Sequence, residues 1–120
     1  MTRFILALIA LTPCAALAQD GIALPTGFDG IYASEGMTCG TGERITVENG
    51  TIYGEEWGMT VTDLIEFPGE SNKVEATLAV SGGGGEWEES AVIRLESGVD
   101  GTALVLDYPD GNRTIWARCD

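Results

Sequence analysis

The chain has no histidine among its 120 residues, and that absence removes more chemistry than any other feature. Without imidazole there is no Ser-His-Asp or Cys-His nucleophile and no histidine-bearing metal site. Basic side chains are scarce as well: six lysines and arginines stand against nineteen acids, a net charge of −13. A surface of that sign repels nucleic acid and anionic membranes, which leaves basic proteins, cations or plain solubility as its uses. No C-x-x-C occurs among the three cysteines, which argues against a zinc knuckle or a redox dithiol. Also missing, beyond residue 18, is any stretch of ten residues with a 3.6-residue apolar period, so no helix is expected in the folded part.

What is present begins with an export signal. Met1-Thr2-Arg3 gives a positive start, residues 4–11 form an unbroken apolar run, and Ala16-Leu17-Ala18 has the small-x-small pattern of a cleavage site. Cleavage is expected before Gln19, with a periplasmic or secreted product. The run is too short for a permanent membrane span. The alternative, a lipid anchor on Cys14, is disfavoured because Pro13 stands where such signals need a small residue. Removing residues 1–18 takes away Arg3 and no acid, leaving five bases, nineteen acids and a net charge of −14.

Cys14 leaves with the signal, so Cys39 and Cys119 are expected to form one disulfide in an oxidising compartment. The remaining residues suit one domain, with 19–29 an extended lead-in and 30–120 the fold itself. Gly30-Ile-Tyr-Ala33 reads as a first strand. Residues 44–48 and 51–55 alternate apolar and polar around Asn49-Gly50, a hairpin signal because a type I′ turn needs positive φ at both centres. Strands follow at 59–67, 73–81, 87–96, 102–108 and 113–119, separated by Pro68-Gly69, the glycines 82–85, Gly98 to Gly101 and Pro109-Asp-Gly-Asn112. Eight short strands with regular turns predict an antiparallel up-and-down meander, which removes its edges by closing into a small barrel. A sandwich is the alternative.

The alternation groups Val61, Asp63 and Ile65; Val74, Ala76, Leu78 and Val80; Trp87, Glu89, Ala91, Ile93 and Leu95; and Leu104, Leu106 and Tyr108 on one face each. The last strand offers two sets, Ile115, Ala117 and Cys119 or Thr114, Trp116 and Arg118, of which the cysteine set is favoured as inward. Asp63 stands out among them. A buried carboxylate would need Arg44 or Arg118 beside it; a structural charge pair of that kind, or a register that turns Asp63 outward, is favoured over a catalytic role. Asp107-x-x-Asp110-x-Asn112 gathers oxygen ligands, yet it lacks the calcium-loop spacing and reads as a turn. The glycines 82–85 are no phosphate cradle, since Glu86, Glu88 and Glu89 follow in place of Lys-Ser/Thr. No metal or cofactor is expected.

A recognition surface remains. Glu55-Glu-Trp57 and Glu86-Trp-Glu-Glu89 each set an indole among carboxylates beside glycine. Such anchors suit a basic protein partner, the charge steering encounter and the ring supplying buried area. The competing role for Trp57 and Trp87 is as plugs of the barrel core or ends.

Two resemblances accompany these residues. Gly30-x-Tyr32 opening the first strand, with Arg118 closing the last, resembles the lipocalin-like arrangement, in which an arginine from the final strand covers an aromatic ring at the barrel floor. Tyrosine here stands in place of tryptophan. The cysteine placement and Ser81-Gly82-Gly-Gly-Gly-Glu-Trp87 resemble the periplasmic C-type lysozyme inhibitors, whose Ser-Gly-x-x-Tyr loop enters the lysozyme cleft. That resemblance implies Ser81, Gly82 and Trp87 as an insertion loop. Together these features predict an exported, monomeric, non-enzymatic binding protein for a basic macromolecule such as lysozyme or another hydrolase, acting through Trp57, Ser81, Gly82, Glu86, Trp87, Glu88 and Glu89. A carrier of a small apolar ligand and an envelope structural protein are the alternatives.

Overall fold

A computed structural model describes residues 21–99 and 101–119; the expected export signal, its expected cleavage point and Cys14 lie outside them. The chain forms β1 (Gly30–Ala33), β2 (Arg44–Glu48), β3 (Thr51–Tyr53), β4 (Trp57–Phe67), β5 (Glu70–Gly82), β6 (Gly85–Gly98), β7 (Gly101–Asp107) and β8 (Arg113–Arg118). Each pairs antiparallel with the next, and β8 returns to β1, so the sheet closes into an up-and-down barrel with no free edge. The closing seam is short: Tyr32 faces Arg118, Ala33 faces Ala117, and Cys119 N–H donates to Ile31 C=O at 2.8 Å. Among the described residues no helix is long and apolar enough to cross a membrane.

The turns follow their sequences. Asn49 and Gly50 both take positive φ, 53° and 75°, as a type I′ turn requires. Gly83 and Gly84 do the same at 58° and 89°, and β5 and β6 run up to them through Gly82 opposite Gly85. The four glycines are thus two strand ends and a two-residue turn, in place of the loose loop that their composition suggests.

Inside, the alternating faces meet. Ile45, Ile52, Leu78, Ile93, Leu104 and Leu106 are fully buried, and removing each such side chain from water contributes about 1.5–3 kcal/mol. The lead-in joins this core. Gly21 N–H and Ile22 N–H donate to Asn49 C=O and Val61 C=O at 3.0 and 2.9 Å, while Leu24 and Phe28 are buried in the core. Beneath them Tyr32 Oη donates to Phe28 C=O at 2.6 Å. The Arg118 guanidinium lies 5.3 Å from the Tyr32 ring centroid and donates to the carbonyls of Gly27 and Asp29. That end of the barrel, called lower below, is stopped by these side chains.

Two inward faces differ from expectation. In β4 the pairing steps from Val61 opposite Leu78 to Asp63 opposite Thr77, which leaves Thr62 as an extra residue. This bulge reverses the alternation beyond it. Leu64 therefore packs on the core, Ile65 is 56% exposed, and Asp63 turns outward to accept a hydrogen bond from Leu64 N–H. In β8 the inward set is Thr114, Trp116 and Arg118, not Ile115, Ala117 and Cys119: Trp116 is 6% exposed and Ile115 45%. Trp116 brings far more apolar area indoors than alanine or cysteine would. Cys119 must also face outward to meet Cys39, which the loop after β1 carries back along the outer wall to a Cα separation of 5.3 Å in the expected disulfide.

Candidate binding site at the mouth of the barrel

Opposite the stopped end, four connections gather: residues 34–43, 54–56, 83–84 and 108–112. Here the inward alternation of β4, β5, β6 and β8 puts large aromatic groups where the core ends. Trp57 opens β4, Trp87 stands third in β6, Tyr108 follows β7, and Trp116 rises from the middle of β8. All three tryptophans of the chain thus converge on one end of the barrel. Trp57 and Trp116 lie with centroids 5.9 Å apart and planes inclined by 35°. Trp87, 48% exposed, stands at the rim. Together with Met59, Val80, Gly82, Gly83, Glu89 and Tyr108 they enclose an open cup of about 360 Å³.

Gly82 makes this packing possible. It sits opposite Trp57 in the ladder, and a Cβ there would lie 2.7 Å from the Trp57 Cβ. Gly54 plays a similar part, with the Trp57 indole nitrogen and the Glu43 carboxylate occupying the space a side chain would need. Glu43 in turn accepts a hydrogen bond from Glu55 N–H at 2.5 Å, tying the first loop to the third strand's end.

Glu89 is the one charged side chain lining the cup. It lies on the inward face of β6, half-buried, and its Oε2 accepts a hydrogen bond from Trp87 Nε1 at 2.7 Å. Tyr108 lies beside it. Burial pushes the Tyr108 phenol above its ordinary range; a hydrogen bond with Thr114 opposes this, and the carboxylates of Glu89, Asp110 and Glu35 add to the rise. A second hollow of about 520 Å³ adjoins the cup, shares Glu89 and Tyr108 with it, and extends over Asp110, Asn112 and Thr114.

Around the mouth the loops carry acid. Glu35 and Glu43, Glu55 and Glu56, Glu86 and Glu88, and Asp110 surround the tryptophans; Lys73, Arg94 and Arg118 lie in the lower half, and Arg44 opens β2 at the mouth, its guanidinium donating to Cys39 C=O. Arg113, near the mouth, is held by Asp107 at 2.6 Å. Acids also line the lower half, at Asp29, Glu48, Glu66, Glu70, Glu75 and Glu96, so the whole barrel is negative and the mouth differs in setting its carboxylates around the tryptophans.

The residues singled out by sequence separate into two groups. Trp57, Gly82, Trp87 and Glu89 come together in the cup. Ser81, Glu86 and Glu88 fall on the opposite, outer face of the same hairpin, in a shallow groove of about 560 Å³ reached by the Trp87 edge. Sequence reasoning did not select Trp116 or Tyr108 for the site. Asp110 and Asn112 are committed to their own turn, both Asp110 oxygens accepting from Asn112, and Asp107 is committed to arginine. Among the described residues no group of three or more histidine, cysteine or acidic side chains is arranged to hold a metal ion. Comparison with known protein families, with curated proteins and with solved structures returns no match for this chain.

Proposed function

We propose that the chain is an exported, non-enzymatic protein that binds a basic macromolecule through the mouth of its barrel, with inhibition of lysozyme or another basic hydrolase as the concrete form. The observation that carries this reading is the convergence of Trp57, Trp87 and Trp116 on one end of the barrel, with Glu35, Glu43, Glu55, Glu56 and Asp110 on the loops around them. Aromatic anchors inside an acidic rim combine the two things such binding needs, buried area at the centre and charge at the edge. The absence of histidine and of any nucleophile motif supports a binding role over catalysis.

Association with a C-type lysozyme, followed optically at low and at moderate salt, tests the reading. Charge steering predicts an on-rate that falls steeply as salt rises. Trp87→Ala should weaken affinity about tenfold, as expected for an exposed anchor. Salt-independent association, or an unaffected Trp87→Ala variant, contradicts it. The carrier of a small apolar ligand stands second because the cup's about 360 Å³ lies at the lower end of ligand-pocket volumes, about 300–1,000 Å³.

A further inference from the structure

We infer that the cup is an aromatic cage for a guanidinium group, and that its occupant is an arginine side chain projecting from the basic partner; this rests on the reading just given and names what the mouth takes in. The lining of the cup is specific to a cation. Trp57, Trp87, Trp116 and Tyr108 line it, and a cation within about 6 Å of an indole face is attracted by the ring quadrupole, most strongly when desolvated. An apolar ligand gains nothing from a carboxylate on an inward position, and there Glu89 would only cost desolvation. Its Oε2 is engaged by Trp87, while among the described residues Oε1 accepts no hydrogen bond.

Guanidinium fits this pair of features better than ammonium. It is flat and weakly hydrated, stacks on aromatic faces, and offers parallel N–H donors to a carboxylate. The cup is open to solvent, and its about 360 Å³ accommodates a side-chain head and not a folded segment. The Trp87 to Glu89 hydrogen bond orients the acid before any ligand arrives. The surrounding acidic loops add the long-range attraction that brings a basic surface to the mouth.

Tryptophan emission of the full-length folded protein, titrated at low salt, decides the matter with three probes. N-acetyl-arginine methylamide should bind at least tenfold more tightly than N-acetyl-citrulline methylamide, which has the same shape without the charge. Glu89→Gln should bring the two within twofold while leaving the melting temperature and far-ultraviolet spectrum unchanged. Equal binding of the citrulline compound overturns the cage and makes the cup an apolar site. Tighter binding of tetramethylammonium than of the arginine compound also overturns it, in favour of a free cation. Lysozyme association measured alongside separates the claims: salt-sensitive association that Glu89→Gln leaves intact rejects the cage alone, and its absence from the parent protein rejects the macromolecular partner.

Discussion

At the scale of single residues the mouth is defined by side chains placed just where the core stops. Tyr108 illustrates the consequence. Burial, and the acids near it, hold its phenol above the ordinary value, so the folded chain keeps a proton that the unfolded chain releases near about pH 10. Stability from this group is intact below that pH and declines as pH rises through it, until the folded phenol ionises as well. Tyr108→Phe removes that dependence. Melting temperatures followed from about pH 9 to about pH 11 should fall less steeply for the variant than for the parent; parallel curves reject a buried phenol. Tyr53 shifts in the same direction through its bond to Glu48, but on the outer wall solvent screens its effect.

The same residues show what was legible. The alternation that runs through Ala91 and Ile93 puts Glu89 and Trp87 on the same face of their strand, and in the structure that face points inward up to the mouth. In β8 two mixed sets alternate, and taking the cysteine set as inward puts Trp116 outside. The signal that corrects this lies two residues on. An Arg118 covering the floor ring must point inward, and period two then carries Trp116 inward with it. A disulfide partner on an outer loop needs the opposite face, and nothing in the local pattern of β8 says on which side of the wall Cys39 will lie.

At the scale of the element, β4 is the strand whose reading changes midway. Sequence pattern alone gives Val61, Asp63 and Ile65 one face, because a period of two has no means of registering an inserted residue. The Thr62 bulge moves Asp63 into solvent and Leu64 onto the core, which removes the need for an arginine partner. Deleting Thr62 should therefore keep Leu64 inward and Asp63 outward in a regular ladder. Such a variant is expected to fold, at a cost of about 1–2 kcal/mol for lost strand curvature. Deleting Thr77, its neighbour across the ladder, would instead turn one half of β5 inside out, sending Val74 and Ala76 or Leu78 and Val80 to the surface. Urea denaturation distinguishes the two. If the Thr62 deletion is as damaging as that of Thr77, the bulge is required for barrel closure itself. By contrast the Asn49-Gly50 hairpin was readable at once, since its geometry is dictated by two adjacent residues and by no distant partner.

At the scale of the whole molecule, the barrel joins two unlike ends by one weak seam. The β1 strand has four residues and meets β8 at only two registered positions, whereas β5 and β6 share a ladder of ten. Closure at this seam is what holds Trp116 beside Trp57 above and Arg118 over Tyr32 below. The disulfide spans 80 residues of sequence across that same seam, where chain-entropy reasoning gives up to about 4.5 kcal/mol. That is a large share of the about 5–15 kcal/mol by which a domain of this kind is stable. Replacing Cys39 and Cys119 together by alanine should lower stability by about 2–4 kcal/mol. The loss should also be uneven. Amide exchange is expected to accelerate first at Ile31, Tyr32 and residues 115–119, while the centre of the β5–β6 ladder keeps its protection until global unfolding. Uniform acceleration around the barrel would show that the sheet closes cooperatively without the bridge, and that the mouth keeps its shape through the core packing of Trp57 and Trp116 alone.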